Sequence, residues 1–169
     1  AASGGINWGG CNVWASIDNT TYEMIGTIYG SARYGTLVSA IDADDTSMQV
    51  QLNTSSQIFG GTLEDAEVDA TLCKVGDEYI NYIDATLDGS GRYTLSSMLR
   101  GRFDDASSHN AGESFVRIDR AIFEYDFNPN MIDKQIYLKF TSFNGLEQKE
   151  ETLDEVTAYS YTINGGRPT

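Results

Sequence analysis

The chain has 169 residues, 40% of them hydrophobic and 21% charged, which is enough for one domain with a substantial core or two small ones and is unlike a disordered composition. Its formal net charge is −14, from 11 basic and 25 acidic residues, so it repels phosphate backbones and anionic lipid, and nucleic acid is not an expected partner. No apolar run approaches the roughly 18 residues of a membrane span, so neither membrane insertion nor an apolar signal core is expected.

In chain order, "AASGG" (1–5) reads as a linker, and "GGRPT" (165–169) as its counterpart tail, as in a piece of a longer polypeptide. "NVWASI" alternates Val13, Ala15 and Ile17 on one face, and the turn "DNTT" (18–21) leads into a second strand, "YEMIGTI". "ARYGTLVSAI" follows, then the acidic "IDADDTS" (41–47), and "MQVQL" alternates Met48, Val50 and Leu52. "LEDAEVD" (63–69) is a second acidic cluster. Turns at "VGDE" (75–78) and "LDGSG" (87–91) bracket further short strands, and "RYTLSSML" puts Tyr93, Leu95, Ser97 and Leu99 on one side. Beyond residue 120, "AIFEYDF", "QIYLKFTSFN" and "VTAYSYTI" read as strands, with Ile136, Leu138 and Phe140 on one face of the second and Tyr159, Tyr161 and Ile163 on one face of the third. Helical turns are expected only at "NPNMI", where Pro129 suits a first helical position, and within "EETLDEV"; "EQKEETLDE" (147–155) reads as an exposed connection. Ten tyrosines, seven phenylalanines and many threonines suit pleated strands. The fold class is all-β and antiparallel.

The stretch "MLRGRFDDASSHNAGESFV" (98–116) holds the only histidine. As catalysis it offers Ser107, His109 and Asp105, but nothing in a loop of Ala, Ser and Asn fixes their geometry, and no Gly-x-Ser-x-Gly elbow is present. As architecture, Arg100 ends a strand, Gly101 turns the chain, Asp104 or Asp105 bonds loop amides, His109 bonds a neighbouring carbonyl to pin the loop, and Gly112 turns into the next strand. The architectural reading is the stronger, and no catalytic residue is assigned. Cys11 and Cys73 read as buried free thiols, with pairing as the alternative. No metal site is expected; the one alternative is calcium held by Asp42, Asp44 and Asp45, although EF-hand spacing is missing. For a glycan, the candidate contacts are Tyr22, Tyr29, Tyr34 and Tyr82.

The spacing of Trp8, Val13, Ala15, Ser16 and Asp18, followed by Tyr22 and Ile25-Gly26 and much later by "YLKFTSFN", resembles a fibronectin type III-like sandwich. Residues 6–42 and 120–164 would form that discontinuous sandwich, and 43–119 a small β-barrel or β-roll inserted into one of its loops. Within the insert, Gly76, Glu78 and Ile80, then Arg100-Gly101, then His109 and Gly112 ahead of Phe115-Val116, resemble a module of tail-tip and baseplate proteins. With its flanks, the chain from about Ile6 to Gly165 resembles the C-terminal part of the tail-hub, or host-specificity, proteins of siphophages, prophages and gene transfer agents. Relatives often read Gly-Thr where Phe103-Asp104-Asp105 stands here, which bears on how tight that loop is. The resemblance implies a non-enzymatic part in tail assembly and cell-surface attachment at the virion tail tip, assembled in the host cytoplasm. It implies other tail and baseplate proteins as partners, host surface polysaccharide as a further one, and a trimer in the intact particle with the isolated fragment monomeric. The alternatives are a carbohydrate-binding module that is itself the adhesin, and a glycosidase-type accessory domain, which needs two carboxylates roughly 5–10 Å apart across a cleft.

Overall fold

A computed structural model describes residues 7–53, 56–89, 91–103, 105–119, 122–146 and 149–164. The linker (1–5), the tail (165–169) and the candidate cap Asp104 lie outside the described residues. The fold is all-β and antiparallel, and the chain divides into two compact units: residues 1–31 with 121–169, and residues 32–120. The first boundary therefore falls at Ser31/Ala32 and not at 42/43. The reason is the strand Tyr34–Leu37, which pairs with Ser47–Leu52 on one side and Ser114–Arg117 on the other, both within the inserted segment.

The discontinuous unit is built on a four-stranded sheet, β1 (Trp8–Ser16), β2 (Glu23–Ile28), β10 (Gln135–Asn144) and β11 (Tyr159–Thr162), in the order β11-β10-β1-β2. Alternation along β1 sends Cys11 and Val13 to one face, where they pack with Ile28, Ile25, Trp8, Phe140 and Phe123. Phe123 belongs to "AIFEYDF", which is irregular over its described residues and not the strand expected; it contributes a core side chain that lies over Gly26. Ile17, expected to continue the β1 stripe, is 74% exposed. The strand ends at Ser16, and Asp18 folds the turn back by accepting from the Thr20 and Thr21 amides and the Ser16 hydroxyl. Tyr159 and Tyr161 are likewise exposed, on the edge strand. Pro129–Met131 forms the expected helical turn, as a 3-10 helix capped by Asn128, while "EETLDEV" makes a single turn in which the Glu155 amide donates to the Thr152 carbonyl.

The contiguous unit holds a seven-stranded antiparallel sheet. Its strands are β3 (Tyr34–Leu37), β4 (Ser47–Leu52), β5 (Cys73–Val75), β6 (Glu78–Ile80), β7 (Asp84–Gly89), β8 (Arg92–Ser96) and β9 (Ser114–Arg117), in the order β6-β5-β9-β3-β4-β8-β7. The sheet curls into a half-barrel. Asn81, following edge strand β6, exchanges both backbone hydrogen bonds with Leu99, which follows β8 near the opposite edge, so the two ends of the sheet are drawn together. The inward faces supply one core that includes Leu37, Met48, Val50, Leu52, Val75, Ile80, Tyr82, Tyr93, Leu95 and Phe115. Each such side chain contributes about 1.5–3 kcal/mol by leaving water. Met48, Val50 and Leu52 keep the expected alternation, but that of "RYTLSSML" stops at Ser96. Ser97 turns to φ +55°, and its hydroxyl donates to Asp84.

The acidic cluster "LEDAEVD" begins as a helix, α1 (Leu63–Glu67), with Val68 as its C-cap. Thr62 and Asp65 form a capping box, each side chain accepting from the other's backbone N–H, and the carbonyls of Ala66 and Glu67 accept from the Arg102 guanidinium. The Thr62 amide first, and then its hydroxyl, hold the Asp65 carboxyl below its usual range. Both cysteines are free and buried. Burial pushes the Cys11 thiol up and drives that of Cys73 to about 12.

Candidate functional site

The motif residues singled out in the sequence converge on one buried carboxylate. Strands β5 and β6 are joined by the two-residue turn Gly76-Asp77, which places Glu78 opposite Val75 with its side chain directed inward. Glu78 accepts two parallel hydrogen bonds from Arg100, Nε to Oε1 at 3.0 Å and Nη2 to Oε2 at 2.7 Å. Oε2 also accepts from the Ser107 backbone N–H at 3.1 Å and lies 2.8 Å from His109 Nε2. The side chains of Glu78, Arg100 and His109 are 2%, 6% and 4% exposed. Arg100 continues to the carbonyls of Asp42 and Ser107, both at 2.5 Å. One guanidinium thus ties together hairpin β5–β6, the segment after β3 and the 100–109 loop.

His109 is held twice. Its backbone exchanges both hydrogen bonds with Ile41, at 2.9 and 3.0 Å. Its ring lies between two carboxylates, with Nδ1 2.9 Å from Glu113 Oε2. The pinning partners are therefore carboxylates and not the neighbouring carbonyl expected. Burial acts most strongly on Glu78, in the raising direction. The bonds from Arg100, His109 and the Ser107 amide together outweigh it and hold the carboxyl below its ordinary value. Glu113 is lowered too, first by the Asn110 amide and then by His109.

Gly76 has φ +53°, and a Cβ there would sit 2.5 Å from Glu113 Oε2 and 3.3 Å from His109 Nδ1. Only a residue without a side chain admits the Glu113–His109 pair at this turn. Gly101 and Gly112 turn the loop with φ +66° and +87°, and the Gly112 amide donates to the Leu37 carbonyl.

The Ser107, His109 and Asp105 constellation does not assemble as a nucleophile with its helpers. Ser107 Oγ lies 3.4 Å from His109 Nε2, but the acid on the other ring nitrogen is Glu113, and Asp105 is exposed. Nε2 lies nearer the Glu78 carboxylate, at 2.8 Å, than the Ser107 hydroxyl, so the ring is engaged by Glu78 and is not poised on the serine alone. Glu113 and the backbone anchor at Ile41 are what the sequence reading missed; the only signal was an acid four residues beyond His109, across a glycine turn.

The remaining candidates scatter. Asp42 and Asp45 close a local turn, Asp45 Oδ2 accepting from the Asp42 amide at 2.7 Å. Among the described residues, no group of three or more His, Cys, Asp or Glu side chains converges to hold a metal. Tyr82 is fully buried, its hydroxyl donating to the Phe59 carbonyl and its ring under Arg117, so it is no glycan contact. Tyr22 is half-buried, with Lys139 Nζ 4.9 Å from its ring centroid, and half-buried Tyr34, in β3, lies opposite Val116 of β9. Tyr29 stands out at 77% exposure.

Comparison with known proteins gives one family, described as Rcc01698-like, C-terminal, which matches residues 24–116. No curated protein matches the chain.

Proposed function

Since the chain belongs to the Rcc01698-like, C-terminal family, we propose that it is a non-enzymatic structural and host-recognition module of the distal tail, at the tip or baseplate hub, of a tailed phage or phage-derived particle. The observation that carries this reading is the convergence of Gly76, Glu78, Arg100, His109 and Glu113 on a buried, fully paired network that fixes a loop. All of these but Glu113 are residues on which the resemblance to tail-hub proteins rests, and their arrangement provides rigidity without a free base or nucleophile. Two stiff antiparallel units then serve to hold loops toward neighbouring tail proteins or a cell surface. In the particle the module sits in a trimer; alone, its acidic surface keeps it monomeric.

The test is immunolabelling of particles from the source culture with antibodies raised against this chain, viewed by negative-stain electron microscopy. Label at one tail end is expected, and particles that stay unlabelled while the protein is found only free would overturn the assignment.

A further inference from the structure

The sheet face of the discontinuous unit opposite its core carries a polar row and an aromatic pair. Thr27, Asn12 and Thr141 are cross-strand neighbours on β2, β1 and β10. Their side chains are joined through Glu150: Thr27 Oγ1 donates to Asn12 Oδ1 at 2.7 Å, while Asn12 Nδ2 and Thr141 Oγ1 donate to Glu150 Oε1 at 2.8 and 2.7 Å. Trp14 Nε1 donates to Thr141 Oγ1 at 2.9 Å and orients its hydroxyl. Among the described residues, both bonds to Glu150 fall on Oε1, which leaves Oε2 and the second Asn12 amide hydrogen for another molecule.

Beside this row Phe143 lies on the strand at Gly9 and Gly10. Gly10 has φ +140°, and a Cβ there would come 2.7 Å from the Phe143 ring and 2.3 Å from the Ile28 carbonyl oxygen. Tyr29 meets Phe143 edge-on, with ring centroids 6.2 Å apart at 67°. Asn12, Thr27, Tyr29, Phe143, Asn144 and Glu150 line a cleft of about 380 Å³.

An exposed aromatic ring beside a preorganised carboxylate and an amide is what a sugar ring requires. Its C–H face lies on the negative face of the aromatic ring, and adjacent hydroxyls donate to the carboxylate and accept from the amide. The carboxylate, on a chain of charge −14, selects against uronic or sialic acids. We propose that this cleft is a saccharide subsite for one hexose unit of a neutral glycan, with Tyr29 as the stacking platform and Glu150 and Asn12 as the hydroxyl-reading pair. This rests on the host-recognition reading and gives it a location and a ligand class.

The test is a titration of the isotopically labelled chain, followed by amide and side-chain NMR. The neutral probes are cellohexaose, maltohexaose and mannohexaose, and the acidic probe is hexagalacturonate. At least one neutral probe is expected to shift Asn12, Tyr29 and Phe143, with hexagalacturonate silent. Tyr29→Ala and Glu150→Gln should each weaken the response about tenfold, and Tyr29→Phe should retain it. Tyr29 is too exposed to matter for folding, and an unchanged melting temperature in Tyr29→Ala checks that. Silence of all three neutral probes at about 10 mM, an equal response to hexagalacturonate, or indifference to Tyr29→Ala overturns the site. Immunolabelling is read independently. Labelled tails with silent sugars remove this site alone, whereas sugar binding with unlabelled particles removes the tail assignment and leaves the site.

Discussion

Replacing Glu78 with glutamine removes the charge at the centre of the buried network while keeping its volume. Arg100, 6% exposed, keeps its two carbonyl partners but loses its counter-ion, and His109 loses one of its two carboxylates. Removing one member of such a buried pair costs about 3–5 kcal/mol. Glutamine still presents one acceptor oxygen, so the lower end applies. For a unit of about 90 residues, each kcal/mol moves the melting temperature by about 4–8 °C, which makes the expected drop at least about 12 °C. Differential scanning calorimetry at pH 7 reads this drop directly. The double variant Glu78→Gln/Arg100→Met should lose less than Glu78→Gln alone, because it leaves no unpaired buried charge. A melting temperature within about 2 °C of the parent's in Glu78→Gln would falsify the claim that this network holds the unit together.

Three further outcomes follow from the same geometry. The Glu78 carboxyl is held below its ordinary 4.5, so its stabilisation is complete above that value and disappears as pH falls through its lower folded-state value. The urea midpoint of the contiguous unit should stay level from pH 7 to about 5 and then fall, less steeply in Glu78→Gln; equal slopes in the two proteins would contradict this. Gly76→Ala should cost about 1–2 kcal/mol from its left-handed backbone alone. It should also separate Glu113 from His109, visible as a change in the His109 ring resonances; a stable variant with unchanged resonances would count against the close packing at that turn. Neither Cys11 nor Cys73 should react with Ellman's reagent in the folded chain, and both should react in denaturant; a fast native thiol would contradict their burial.

The all-β class was legible because strand alternation survives wherever a strand is flanked by regular pairing, as at Met48, Val50 and Leu52. It failed where a local bond overrode the period: Asp18 closes the turn before Ile17 reaches the core, and Ser97 leaves the strand in a left-handed conformation. Helix α1 was hidden because its five residues are mostly acidic; the signal was Thr62 with Asp65 three positions on, a capping pair that reads easily as a loop. Of the residues that carry the resemblance, Gly76, Glu78, Arg100 and His109 meet in the fold, whereas Glu113, their further partner, was not among them. Glu78 and Arg100 lie 22 residues apart, and only the pairing of β5, β6 and β9 brings Glu113 to the same point. Among the tyrosines, period-two patterning could not separate buried Tyr82 from exposed Tyr29, since neither lies inside a strand.

The two ends of the contiguous unit meet. Tyr34 pairs with Val116, the Arg117 amide donates to the Arg33 carbonyl, and Arg33 forms an ion pair with Asp119. Closing an unstructured loop of about 90 residues costs roughly 4 kcal/mol in chain entropy before any constant term. Here the loop closes itself by folding, so the discontinuous unit meets its two halves already side by side, as if a short turn joined them. Residues 32–120 thus have the neighbouring ends that an insertion into a loop requires. A turn of a few residues would span the same gap.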